Sequence, residues 1–305
     1  MLDLRHVEAF LSVISAGSFH GGAKLIGRSQ PTLSQQIQKL EAELGAVLIV
    51  RSMGGCHLTQ AGAAFRPHAH ALLQMAGRAV DAVHTGRISL GASGNIGTYL
   101  LQEKVARFAA LGYALPDVIV APNPVLAEKL ATGEIDLALM EWWNNQPAFT
   151  SSIWRREELV IIVAKTHPFA SKDEVSAEDL AGQPMIGGEN GTGTGRLLRQ
   201  MIGEVAETFS IVLTLGSTEA VKNAVKAGLG ISVVFASAVE AEVAAGHLHA
   251  LRLKDKTLHK DLFAVHAANV LGSFSPMQVF IKLLAGDPEE AARQAHAVGQ
   301  SGTMD

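Results

Sequence analysis

Residues 18–62 read SFHGGAKLIGRSQPTLSQQIQKLEAELGAVLIVRSMGGCHLTQAG, and this stretch decides the fold of the N-terminal part of the chain. Two helical patterns meet at Ser29-Gln30-Pro31. The first is capped by Ser18 and runs through Ala23 and Leu25 to Ile26. The second starts at Ser29, with Pro31 in the first turn, where a missing N–H does no harm. Its inward face is Leu33, Ile37, Leu40 and Leu44, at i, i+4, i+7 and i+11, and Gly45 ends it. A strand-like run, a Gly-Gly turn and a second strand follow. Upstream, Val7, Phe10, Leu11 and Ile14 predict a further helix over 4–15, closed by Gly17. The layout is a winged helix-turn-helix, whose second helix fits the major groove of DNA. That helix offers Gln30, Thr32, Gln35 and Gln36 outward; such side chains suit base edges, and Gln can bond adenine bidentately.

Working outward, the residues Ala16-Gly17-Ser18-Phe19, Ser29-Gln30-Pro31, Leu33-Ser34, Ile37, Leu40-Glu41, Leu44-Gly45, Leu48, Arg51, Leu58-Thr59 and Ala61-Gly62 resemble the DNA-binding domain of the LysR-type transcriptional regulators. The resemblance continues to about residue 285. It implies a regulator rather than an enzyme, with double-stranded promoter DNA as partner and no cofactor. The DNA-binding residues it implies are Ser29, Gln30, Pro31, Thr32, Ser34, Gln35 and Arg51. Two departures stand out. Gly21 and Gly22 replace the usual alanines, each costing about 1 kcal/mol in a helix interior. Gln35 stands where relatives commonly have Arg, so their base preference does not transfer.

Net charge is −4, from 25 Lys and Arg against 29 Asp and Glu. Residues 1–60 carry Arg5, Lys24, Arg28, Lys39 and Arg51 against Asp3, Glu8, Glu41 and Glu43, a weakly basic head. Few phosphates can be neutralised per monomer, so useful affinity requires heads combined in an oligomer. The apolar share of 48% excludes a disordered chain. No apolar run approaches the roughly 20 residues that cross a bilayer. MLDLRHVEAF lacks the charged-then-apolar order of a signal peptide, and one cysteine cannot form a disulfide framework. A cytoplasmic protein without membrane contact is expected.

Phe65, Ala69, Leu72, Ala76, Ala79 and Val83 alternate at spacings of four and three, a heptad-like seam on a helix over 59–84. Such a seam pairs two subunits or packs on its own domain; the linker helix of the resembled family pairs subunits, implying a homodimer or homotetramer. Pro67 removes a helical hydrogen bond, predicting a kink or a delayed start.

Beyond Thr85-Gly86, strands alternate with helices, the signature of a mostly parallel α/β sheet. The strands fall at 88–92, 118–121, 135–140, 185–186, 210–213, 231–234 and 262–266. Helices fall at 97–110, 125–131, 195–205, 218–227 and 276–284. Two α/β lobes with two crossings describe a periplasmic-binding-protein-like effector domain. The expected organisation is therefore a winged helix-turn-helix over 1–58, a linker helix over 59–86, an effector domain over 87–286 and a flexible tail over 287–305. Lobe one takes 87–162 and 267–286, and lobe two takes 163–266.

Ligands of open α/β sheets bind outside the carboxyl ends of strands and at helix N-termini. Ser93, Asn95, Asn123, Asn190, Thr192 and Thr218 fall at such places, and Glu141 matches a family position just after the third strand. These are the candidate effector-binding residues. The resembled branches sense small oxyanions or phosphorylated metabolites, but Gly188 and Gly195 stand where arginines are usual. A monoanion or a polar neutral metabolite fits equally. Trp142 and Trp143 replace small residues and either pack the hinge or narrow the cleft. RNA polymerase is a further partner implied by the resemblance.

Other chemistry finds little support. GTGTGR lacks the glycine spacing of a dinucleotide fingerprint, and no GK[ST] follows for a phosphate loop. His68 and His70 face different ways on a helix; His247 and His249 share a strand face without a further ligand at convincing spacing. No catalytic or metal-binding residue is assigned. Cys56, beside Gly54 and Gly55, reads as a wing residue without a role. The alternative to a regulator is a solute-binding protein without DNA function, against which residues 1–62 count.

Overall fold

Asp3 starts the first helix, α1 (Leu4–Ala16): its carboxylate accepts the Arg5 backbone N–H at 2.9 Å, which a helix start otherwise leaves without a partner. In this computed structural model, residues 2–52, 55–187, 193–268 and 275–286 are described, with backbone alone over 81–85 and at 193. They form two units, Met1–Gly86 with Ala131–Glu134, and Arg87–Leu130 with Ile135 onward.

In the first unit, Gly17 ends α1 in the left-handed conformation, and Ser18 caps α2 (Phe19–Leu25) by accepting the Gly21 N–H. Ser29 caps α3 (Gln30–Leu44), which Gly45 closes at φ 65°. Strands β1 (Ile49–Ser52) and β2 (Gly55–Leu58) pair antiparallel as the wing. Val7, Phe10, Val13, Leu33, Ile37, Leu40 and Leu48 make the buried core. A Cβ at Gly22 would lie 2.9 Å from the Cα and N of Val13. The glycine that weakens α2 is therefore what lets it lie against α1.

The long helix α4 runs from Gln60 to Thr85 straight through Pro67, so the proline does not delay its start. The expected seam divides. Phe65 packs tilted against Phe10, ring centroids 5.5 Å apart, and Ala69 is fully buried, so both belong to this unit's own core. Leu72, Met75 and Val80 are exposed.

The second unit opens with β3 (Ser89–Ala92), a π-helical turn over Ile96–Leu100, α5 (Leu101–Ala110), β4 (Asp117–Val120), α6 (Asn123–Ala131) and β5 (Leu137–Met140). The sixteen-residue strand β6 (Phe149–Ala164) leads to β7 (Glu174–Val175), α7 (Ala177–Leu180) and β8 (Pro184–Ile186). Then come α8 (Gly193–Ile202), β9 (Ser210–Leu213), α9 (Thr218–Lys226) and β10 (Ser232–Phe235). The described part closes with α10 (Glu240–Ala244), β11 (Leu248–Leu253), β12 (Leu258–Ala267) and α11 (Pro276–Ala285).

The sheet order is β4-β3-β5-β12-β6-β11-β7, with β10 also paired to β6 and β8-β9 forming a separate parallel pair. Strands β6 and β12 join the lobes. The first part of β6 pairs with β12, and from Leu159 onward it pairs with β10 and β11. Phe263–His266 of β12 lie beside β5 of lobe one. The expected lobe limits at 162/163 and 266/267 therefore fall inside these two shared strands. A continuous strand keeps one side-chain alternation throughout, so nothing in its pattern marks where its neighbours change.

Smaller differences have local causes. Cys56 lies within β2, where its N–H donates to the Gly17 carbonyl at 3.0 Å and ties the wing to the turn after α1. His247 precedes β11; only His249 is on the strand, its Nε2 2.6 Å from the Lys172 carbonyl. Among the described residues no helix is long and apolar enough to cross a membrane. The tail over 287–305 and the effector candidates Asn190 and Thr192 lie outside the described residues.

Candidate functional sites: a DNA-reading helix and an inter-lobe cleft

Three elements set the recognition face of the first unit. Burial of Leu33, Ile37 and Leu40 turns Gln30, Pro31, Thr32 and Gln35 outward, all exposed. The Ser29 and Thr32 hydroxyls lie 2.8 Å apart, and the Thr32 N–H donates to Ser29 Oγ at 3.3 Å. Arg51, on β1, places its guanidinium 3.9 Å from the Phe19 ring centroid and donates to Ser34 Oγ at 3.3 Å. The wing arginine is thereby held against the start of α3. Glu41 accepts the Leu48 and Ile49 N–H groups at 2.7 and 3.2 Å, anchoring β1 to the far end of the same helix.

In the second unit a hydrogen-bonded chain crosses between the lobes. Thr218, first residue of α9, donates to Asn95 Oδ1 at 2.6 Å. Asn95 Nδ2 and Ser93 Oγ both donate to Glu141 Oε1, at 3.2 and 3.1 Å. Lys260 Nζ holds Glu141 Oε2 at 2.7 Å, and this pair is nearly buried, 8% and 13% exposed. Four sequence candidates, Ser93, Asn95, Glu141 and Thr218, thus meet in one network. Asn123 is buried and its amide donates to the Trp142 carbonyl at 2.9 Å, bracing the chain after β5. Trp143 packs edge-on against Phe149, while Trp142 lies under the Arg196 guanidinium at 4.9 Å.

A cavity of about 300 Å³ adjoins this chain, lined by Asn95, Thr98, Tyr99 and Glu141 on one side and Gly216–Glu219 with Ser232–Phe235 on the other. Ser217 caps α9 by accepting the Ala220 N–H, so the helix presents its positive end to the cavity. Beside it runs a second contact between lobes. Tyr99 donates to Glu219 Oε1 at 2.7 Å, and buried Lys222 sits 2.7 Å from both Glu219 and Glu242. The Lys222 ammonium, and then the Tyr99 hydroxyl, hold the Glu219 carboxyl below its ordinary range. Burial pushes the Tyr99 hydroxyl up, helped by the Glu219 charge. For Lys222, burial acts to lower the ammonium, but the two carboxylates outweigh it and it is raised.

Sequence reading did not assign Tyr99, Lys222 or Lys260 to the site. For two of them a signal existed. Lys260 alternates in phase with buried Leu258 and Leu262 on β12, and Lys222 shares the buried face of α9 with Val221 and Val225. A charge in an apolar phase requires a buried partner. Tyr99 carries no comparable mark.

A helix-turn-helix head joined in sequence to a two-lobed domain with a polar cleft defines a ligand-responsive DNA-binding protein. Residues 4–63 match the model of the bacterial regulatory helix-turn-helix protein of the LysR family, and residues 81–287 match the LysR substrate binding domain. The chain belongs to the LysR family of transcriptional regulators. It is 42% identical over 196 residues to PtxE of Stutzerimonas stutzeri, assigned as an HTH-type transcriptional regulator, covering 64% of this chain and all of PtxE. It is 29% identical to the uncharacterised HTH-type regulator YeiE of Escherichia coli K12, over 87% of this chain and 91% of YeiE. A full-length single-residue variant of OxyR from Pseudomonas aeruginosa shares the fold, with a TM-score of 0.65 at 22% identity, over 96% of this chain and 97% of that one. The match over the head removes the solute-binding alternative.

Proposed function

We propose that a small polar or anionic metabolite entering the cleft between the lobes controls how this regulator holds promoter DNA. The observation that carries the reading is the Thr218–Asn95–Glu141–Lys260 chain, of which Thr218, Asn95 and Glu141 also line the cavity. A ligand there exchanges internal hydrogen bonds for its own, and it shifts the lobes only in so far as it binds one arrangement better than another. Ser93, Asn95, Glu141 and Thr218 are the proposed effector residues among those described, with Asn190 and Thr192 completing the set. Asn123 acts behind them. Glu141 and Glu219 are already matched by Lys260 and Lys222, so the cleft takes a polar neutral molecule or a single anionic group held by hydroxyls and the α9 terminus.

On DNA, Gln30, Thr32 and Gln35 read bases while Ser29, Pro31, Ser34 and Arg51 fit the backbone. The protein works in the cytoplasm as a dimer or tetramer, and a ligand-driven change in head spacing alters promoter bending or contact with RNA polymerase. The exposed stripe Leu72, Met75 and Val80 on α4 supports helix pairing. The edge strands β4 and β9, with Val118, Ile119, Val120, Ile211, Val212 and Leu213 exposed, support further association of the second unit. We propose domain limits near residues 58 and 86, with the lobes exchanging strands through β6 and β12.

The test is thermal shift of the full-length protein against a metabolite panel, followed by gel shift on its own upstream intergenic DNA. A true effector raises the melting temperature. Ser93→Ala and Thr218→Val each weaken it while leaving ligand-free operator affinity intact. A bound ligand seen in contact with one lobe alone would overturn the reading.

A further inference from the structure

A second cavity of about 560 Å³ shares with the first only Glu141. It opens between α8 of lobe two and the crossing strands. Its charged lining comprises three permanent cations, Arg156, Arg196 and Lys260, against two carboxylates, Glu141 and Asp261. Arg156 is matched by Asp261 at 2.8 Å and Lys260 by Glu141 at 2.7 Å. Arg196 makes no ion pair or hydrogen bond among the described residues. It is exposed and lies over the Trp142 ring. Among the described residues one positive charge is therefore left over, held in place by an aromatic face. The rest of the lining divides into an apolar wall of Leu197, Met201 and Phe263 and the polar side chains Gln200, Thr257 and His259.

From this we infer a second ligand site, distinct from the cleft that carries the proposed function, which takes a small anion bearing a flat apolar body. The acid group meets Arg196, whose planar fork suits an oxyanion, and the body lies against Trp142 and the apolar wall. Neither half suffices. A bare anion leaves the apolar wall wet, and a neutral ring leaves the guanidinium without a counter-charge. The site adjoins Lys260, which anchors the bridge between the lobes, so an anion bound here competes with Glu141 for that ammonium. This is how occupancy of the second cavity reaches the first.

Phenyl phosphate serves as the probe, with inorganic phosphate and benzyl alcohol as its two halves, titrated into the full-length protein while tryptophan emission is followed. Saturable binding of phenyl phosphate is expected, at least about tenfold tighter than either half. Arg196→Gln weakens it by about tenfold or more. Trp142→Phe removes most of the emission change while calorimetry still detects binding, which excludes a signal from Trp143 or Trp154. Thr218→Val, which alters the lining of the first cavity alone, shifts phenyl phosphate affinity by less than the Arg196→Gln change and leaves binding saturable, so this site and the cleft can fail separately. The inference is overturned if Arg196→Gln binds as the parent does, if benzyl alcohol binds as tightly as phenyl phosphate, or if Thr218→Val abolishes binding.

Discussion

Replacing Lys260 by Met tests the ion pair on which the bridge between the lobes rests. The substitution keeps most of the side-chain length and removes the ammonium from a pair 2.7 Å apart and nearly buried on both sides. Glu141 Oε1 retains its donors Ser93 and Asn95, whereas Oε2 is left facing a thioether. Breaking a buried pair from one side costs about 3–5 kcal/mol. Glu141 also lines the cleft, so water reaches it, and the lower end, about 3 kcal/mol, is expected. In a domain of about 200 residues each kcal/mol moves the melting temperature by about 2–4 °C, so Lys260→Met lowers it by about 6–12 °C. The decisive arm is the double variant with Glu141→Gln. It removes both charges, and the glutamine oxygen still accepts from Ser93 and Asn95, so more than half of the lost stability returns. Differential scanning fluorimetry and urea unfolding read both. The reasoning is refuted if Lys260→Met shifts the melting temperature by less than about 2 °C, or if the double variant is as unstable as the two single losses summed.

Further outcomes follow from the rest of the structure. Leu72→Glu places charge on the exposed stripe of α4, outside the core that Phe65 and Ala69 fill; oligomeric order by light scattering and specific operator binding are lost together, with the fold of the monomer retained. Gln35→Ala relaxes preference at one base position per half-site, at a cost of about 1–3 kcal/mol there, in a mutated-operator series. Arg51→Ala, which also loses the Phe19 stack and the Ser34 bond, weakens all sequences alike and flattens the salt dependence. The lowered Glu219 carboxyl contributes stability that is complete above its unfolded value and lost as pH falls through its folded value. Lys222→Met should therefore flatten the fall of melting temperature on the acid side of the ordinary glutamate range; an unchanged acid limb would show that the Glu219–Lys222 contact contributes nothing.

The sequence by itself determined what depends on neighbours a few residues apart. The helices of the head, the capping serines, the outward glutamines and the alternation of strands and helices beyond residue 86 all follow from periodicity and turn chemistry, which act within one or two turns of chain. Tertiary structure decided whatever depends on an approach between distant segments. Gly22 reads as a defect of α2 until Val13 is seen against it. Phe65 and Ala69 read as part of a seam until Phe10 takes one of them. Asn123 and Thr218 stand at equivalent strand-end positions, yet one amide turns back to Trp142 and the other side chain reaches the opposite lobe. Lys260 meets Glu141 across 119 residues. A hydrogen bond or ion pair is set by ångström distances between groups that the chain separates widely, and side-chain spacing carries no record of those distances. That is why the fold and the class were legible in the residues, while the bridge at the centre of the cleft required the coordinates.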